Sequence, residues 1–130
     1  MDDKIEKLMK AYRYNEGTAR AYVESNGRCV YCGVDLLNNL CTYFSADIDH
    51  LLPKSKYPEF ESWCENWVLS CRACNALKSK MDIDPLPWSA KEAITIHKAE
   101  LIALIQKIIK GKRINREKEL LEIKSIIRGE

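Results

Sequence analysis

Ile5, Leu8, Met9 and Tyr12 recur at three- and four-residue intervals, the period of an amphipathic helix, and predict one over residues 3–13. "YNEGT" interrupts it. Thr18 is placed to cap a second short helix running through Ser25, after which Asn26 and Gly27 offer the left-handed backbone that ends helices. Between Asn39 and Trp67 the pattern changes to aromatic and β-branched residues, so short strands are expected near 44–51 and 66–70. The stretch between them, "PKSKYPEFESWCE", holds two prolines and reads as a loop. "CRACNALKSKM" favours a short helix that "DIDPLPW" breaks. Ser89 and Glu92 have capping-box spacing, and apolar residues follow at 94, 101, 105 and 108 with 102 and 109 beside them. Gly111 with Lys112 and Arg113 punctuates this helix. Leu120, Leu121, Ile123, Ile126 and Ile127 mark a last one over 115–128, and two antiparallel helices or one long kinked helix both fit.

The chain has 130 residues, the size of one ordinary domain. No internal repeat or low-complexity tract divides it. No apolar run is long enough to span a bilayer, and "MDDKIEKLMK" mixes acids with lysines where a secretory signal would place basic residues before an apolar stretch. A cytoplasmic protein without membrane association is expected. The net charge of +2 does not by itself announce a nucleic-acid binder. From Lys91 onward ten basic residues face six acidic ones, a basic excess that a solvated helix face also explains.

In a reducing compartment the six cysteines point away from disulfides and toward metal. "CVYC" gives Cys29 and Cys32, and "CRAC" gives Cys71 and Cys74. Two residues between thiolates let a tight turn present both sulfurs to one ion, and two such turns complete a tetrahedral four-sulfur zinc site. Gly33 suits the first knuckle turn. A redox role for a CxxC pair and plain buried thiols are the alternatives. Cys41 and Cys64 lack such spacing and read as core or surface thiols. A closed zinc site stabilises the fold and does no chemistry. Yet 38 residues separate Cys32 from Cys71, well beyond the ~15–20 of a compact finger.

That interval contains "DIDHLLP". "CVYCG", then "DIDHLLPKS", then "ENWVLSCRACNALKS" resembles the HNH endonuclease family, the His-Me finger or ββα-metal nucleases, in its zinc-stapled form, over about residues 27 to 80. The resemblance implies an α+β fold: a small zinc-stapled ββα-metal core over 27–88, flanked by N-terminal helices over 1–26 and a C-terminal helical extension over 89–130. It implies metal-dependent hydrolysis of DNA phosphodiester bonds. By the same resemblance His50 is the general base, a task suited to imidazole as a class. Asp49 and Asn75 are ligands of one catalytic Mg²⁺ or Mn²⁺ ion, and oxygen donors suit such a cation. Asn66 is the central asparagine that holds the histidine's strand in place. Lys54 and Lys78 are candidates for phosphate. Asn75 stands where the family often has histidine, and its amide still offers an oxygen.

Adjacent residues of a regular strand point to opposite faces, so Asp49 and His50 reach one site only where the strand ends or twists. Pro53 favours such an end. His97, on the apolar stripe of a helix, has no second ligand at helical spacing and reads as a core or boundary residue. The C-terminal helices are expected to pack on the core, to form a homodimer, or to dock a recognition or regulatory protein. Participation in phage defence or a mobile element fits the family's habits. The competing function is a catalytically silent zinc module that binds nucleic acid or protein, which would have no chemical need for Asp49, His50 and Asn75 together.

Overall fold

Short polar residues set the helix boundaries. In the computed structural model, which describes residues 2–78 and 83–129, the Asp2 carboxylate accepts the Lys4 N–H at 2.7 Å and opens α1 (Asp3–Tyr12). Arg13 ends it in a left-handed conformation. α2 (Glu16–Glu24) starts earlier than the Thr18 cap predicts. Asn15 takes that role, its side-chain oxygen accepting the Thr18 N–H at 2.8 Å, so Thr18 lies inside the helix. Asn26 and Gly27 both take positive φ directly after it, as their residue types allow.

A capping box between Asn39 and Thr42 opens a one-turn helix, α3 (Leu40–Phe44), where sequence pattern suggested the start of a strand. β1 (Ala46–His50) follows and pairs antiparallel with β2 (Trp67–Cys71), which sets Asp47 opposite Ser70, Asp49 opposite Val68 and His50 opposite Trp67. The 16 residues between the strands contain two single 3₁₀ turns, Pro58–Phe60 and Cys64–Asn66. α4 (Arg72–Lys78) continues from β2 without a loop. The end expected for it near Met81 lies outside the described residues.

α5 (Ala90–Thr95) has the Ser89 cap, whose hydroxyl accepts the Glu92 N–H at 3.2 Å. The helix then breaks at Ile96 and His97, where continuity was expected. Here His97 stacks on Trp88, ring centroids 4.7 Å apart, and meets Glu100 at 2.7 Å. α6 (Lys98–Arg128) is one helix through Gly111, which faces open space and costs a helix only about 1 kcal/mol. The architecture is α+β, and no helix among the described residues is long and apolar enough to cross a membrane.

Leu101, Ile105 and Ile109, spaced by four, bury one stripe of α6 in the same core as Leu51, Leu52 and Leu69 from the hairpin. Gln106 reinforces the contact by donating to the Val30 carbonyl at 2.7 Å, and Lys112 by donating to the Leu77 carbonyl at 3.0 Å. Past Arg113 every described residue of α6 is exposed, including Leu120, Leu121 and Ile126. The two halves of one helix therefore differ in energetic weight. Ile105→Ala is expected to lower unfolding free energy by about 2–5 kcal/mol, and Ile126→Ala to change it by less than about 0.5 kcal/mol. Urea denaturation of the two variants checks this.

Candidate active site and metal centre

The first knuckle is shaped by its backbone. Gly33 N–H donates to the Cys29 carbonyl at 2.9 Å with φ of 81°, and Cys29 N–H donates to the Val34 carbonyl at 3.0 Å. The second knuckle lies at the β2–α4 junction, where Cys74 N–H donates to the Cys71 sulfur at 3.3 Å. The ligand atoms of Cys29, Cys32, Cys71 and Cys74 lie within 4.8 Å of one another. Cys32 and Cys71 sulfurs are 3.8 Å apart, the edge of a tetrahedron with metal–sulfur bonds of about 2.3 Å. Cys41 is exposed and Cys64 half-buried, away from this cluster.

Hydrogen bonds from Cys71 and Cys74 pull the Cys29 thiol far below its ordinary range, and the same sharing with Cys29 pushes Cys74 up. A thiolate is the ligand form zinc takes. Arg113 adds a guanidinium N–H 3.5 Å from the Cys74 sulfur. This contact, made from α6 across 39 positions of sequence, has no sequence signal. The cluster can hold a zinc ion.

Alternation along β1 separates Asp49 from His50. Asp49 turns inward and is 8% exposed. Its Oδ2 accepts the Tyr31 hydroxyl at 2.5 Å and lies 3.2 Å from the Lys78 ammonium, which is 3.4 Å from Oδ1. Burial, followed by the charge of Asp49, pushes the Tyr31 phenol well above its ordinary range, so it stays a donor. Lys78 is also buried, and its third contact is the His50 backbone carbonyl at 2.7 Å. This ammonium is spent on the protein interior, a different placement from the solvent-facing one expected of a phosphate ligand. Removing one partner of such a buried pair costs about 3–5 kcal/mol, because the other is left uncompensated.

Asp47, two positions back on the same side of β1, stands 3.5 Å from the Asn75 Nδ2 and 3.9 Å from the Arg72 Nε. The amide nitrogen of Asn75 thus points at a carboxylate, which turns its oxygen the other way. Two carboxylates and an amide oxygen on one side of the hairpin are hard donors. These oxygen donors are of the type a hard divalent ion takes, and at Asp49 such an ion would compete with the Lys78 ammonium, which already contacts both carboxylate oxygens.

His50 lies on the other side, edge-on to its cross-strand neighbour Trp67 with centroids 5.8 Å apart. Its Nε2 is 3.0 Å from the Glu61 carbonyl oxygen, which also accepts the Trp67 Nε1–H at 2.8 Å. A carbonyl only accepts, so Nε2 carries a proton and the lone pair of neutral His50 is on Nδ1. Lys54 is exposed, with its ammonium 3.9 Å from Glu61 Oε1. Behind Trp67, Gly17 of α2 makes room for the indole: a Cβ at residue 17 would stand 2.3 Å from the ring.

Asn66 is fully buried and clamps Leu52 at both backbone groups, accepting its N–H at 2.8 Å and donating to its carbonyl at 3.0 Å. With the Asn66 carbonyl accepting the Leu51 N–H at 2.8 Å, it fixes the chain just past His50. The strand's end is therefore held from three directions, by Asn66, Lys78 and Glu61. Sequence pattern missed Tyr31, Asp47, Trp67 and Arg113. Only Asp47 carried a signal, its two-residue spacing from Asp49.

Purified protein is expected to contain about one zinc per chain. Cys74→Ser is expected to abolish a cooperative thermal transition, and the exposed Cys41→Ser to leave it unchanged. Elemental analysis and calorimetry read both. No curated protein and no solved structure matches the chain. The family model for HNH endonuclease matches residues 29–81, an interval that begins at the first zinc-type knuckle and contains the whole hairpin and α4. The similarity to HNH endonucleases is accordingly carried by residues 29–81, the part of the chain that holds the cysteine cluster and the hairpin.

Proposed function

We propose that the chain is a metal-dependent endonuclease that hydrolyses DNA phosphodiester bonds, with His50 as general base. The observation that carries this reading is the His50–Glu61 hydrogen bond, which protonates Nε2 and leaves Nδ1 to take a proton from water. A surface histidine with no task has no need of a fixed tautomer, an aromatic wall and a strand end clamped on three sides.

Asp49 and Asn75 would hold Mg²⁺ or Mn²⁺, with Asp47 taking up the Asn75 amide nitrogen at 3.5 Å and leaving the amide oxygen available as a ligand. When bound, that cation neutralises charge building on the phosphate and on the departing oxygen. The roles of the protein groups are distinct. Nδ1 of His50 accepts the proton of the attacking water, and the Glu61 carbonyl stabilises the imidazolium that results. Tyr31 and Lys78 compensate the Asp49 charge and fix its rotamer. Asn66 fixes the backbone from which His50 projects. Lys54, exposed and held near His50 only by a long contact to Glu61, is free to meet a phosphate oxygen.

Supercoiled plasmid is the test substrate, with Mg²⁺ or Mn²⁺ added to zinc-loaded protein. Wild type is expected to produce nicked circles in a metal-dependent way, and His50→Ala to lower the rate by about 10²-fold or more. Equal rates in the two proteins would sink the assignment. No cutting by either, from a folded and zinc-loaded sample, would favour a silent zinc adaptor.

A further inference from the structure

Four of the chain's six tyrosines line one groove of about 440 Å³ beside the strand that carries Asp47, Asp49 and His50. Tyr12, Tyr14 and Tyr22 come from α1, the turn after it and α2, and Tyr43 comes from α3. Tyr14 stands between its neighbours, ring centroids 6.5 Å from Tyr12 and 5.5 Å from Tyr22, and its hydroxyl meets that of Tyr43 at 3.1 Å. That bond ties the N-terminal helices to α3. Tyr12 is 72% exposed and Tyr43 41%, so neither ring is spent on the core.

The charge of the groove is one-sided. Lys4 and Lys7 line it, and no acidic residue does among those described. Asp3 pairs with Lys7 at 3.1 Å, but both side chains are about three-quarters exposed, where such pairs are weak and screened. Rings with a wet face, flanked by lysines, match the chemistry of an unpaired nucleobase and its phosphate.

The groove is also close to the site. Tyr43 precedes Asp47 by four residues, so their Cα atoms are at most about 14 Å apart. Arg72 bridges the gap, its Nη2 donating to the Phe44 carbonyl at 3.3 Å and its Nε 3.9 Å from Asp47, with 70% of the side chain exposed. A strand leaving β1 toward α3 passes this guanidinium and then reaches the tyrosines.

We propose that the tyrosine groove stacks unpaired bases of a DNA strand whose phosphate lies at the end of β1, so that the substrate is single-stranded or locally unpaired beside the cut. This rests on the nuclease reading above, but binding can be measured apart from cutting. The probe is a labelled thymidine oligonucleotide of about 15 nucleotides, compared by anisotropy with a duplex of equal length, on zinc-loaded full chain with no other divalent ion. Tyr12→Leu and Tyr43→Leu keep apolar surface and remove the aromatic face. Each is expected to weaken single-strand binding by about tenfold or more while leaving duplex binding unchanged. Tyr12→Phe is expected to bind as wild type does, and Lys4→Gln with Lys7→Gln to flatten the salt dependence.

Unchanged single-strand affinity in both leucine variants would overturn the proposal. So would equal losses for single strand and duplex, the mark of a general effect on the fold or of an apolar face meant for protein. Tyrosine-dependent single-strand binding without any His50-dependent cutting would leave the groove standing and remove the hydrolytic reading.

Discussion

Four sulfur atoms from two separate turns must meet within the reach of one ion, and the hairpin that holds the candidate site hangs from that meeting. Cys29 and Cys32 belong to a turn stapled by Gly33, and Cys71 and Cys74 to the junction where β2 becomes α4. A sheet of only two strands has little stability of its own in water. Structural zinc contributes on the order of 10 kcal/mol in small domains, enough to hold together a hairpin whose intervening loop has no regular element longer than one 3₁₀ turn. The helices then close over this staple: α6 supplies both an apolar stripe and the Arg113 guanidinium that faces the Cys74 sulfur.

Burying Asp49 is the second demand. A carboxylate taken out of water needs charge compensation and hydrogen bonds, and it has them in Lys78 and the Tyr31 hydroxyl. Tyr31 is contributed by the zinc-type knuckle and Lys78 by α4, so the elements that surround the sulfurs also set the acid in place. His50 is served by a different group of residues on the opposite side of β1, among them Glu61 and Trp67. The alternation of strand side chains thus divides the work into an acidic, oxygen-rich side and a side with an oriented imidazole, and a reaction that uses both needs its phosphate at the end of β1, where the strand stops at His50.

Local pattern carried most of the elements. Period and capping chemistry are short-range, so α1, the two strands, α4 and the start of α5 were readable from neighbouring residues. What lay beyond reach was decided by competition or by distance. Asn15 outcompeted Thr18 as a cap, and the Asn39–Thr42 box created α3 in a stretch whose aromatic content argued for a strand. Gly111 reads as a stop, yet an isolated glycine is a small cost to a helix already anchored by Leu101, Ile105 and Ile109. Within the candidate site, spacing identified the four cysteines as a group. It gave no means of knowing that Lys78 turns inward or that a backbone carbonyl at Glu61 sets the tautomer of His50, because both depend on loop geometry.

Gly17 shows how far such dependence extends. It lies in the first turn of α2, where polar surface residues are ordinary, and nothing in its neighbours sets it apart. Its missing side chain is the space that the indole of Trp67 fills, and the indole in turn shares a carbonyl with the imidazole. Even one methyl group at residue 17 would have to tilt the ring, and the tilt would be passed to His50. The tolerance of this position to change is therefore governed by the aim of a side chain 33 positions away, a restriction that belongs to the three-dimensional neighbourhood and leaves no trace in the helix where it acts.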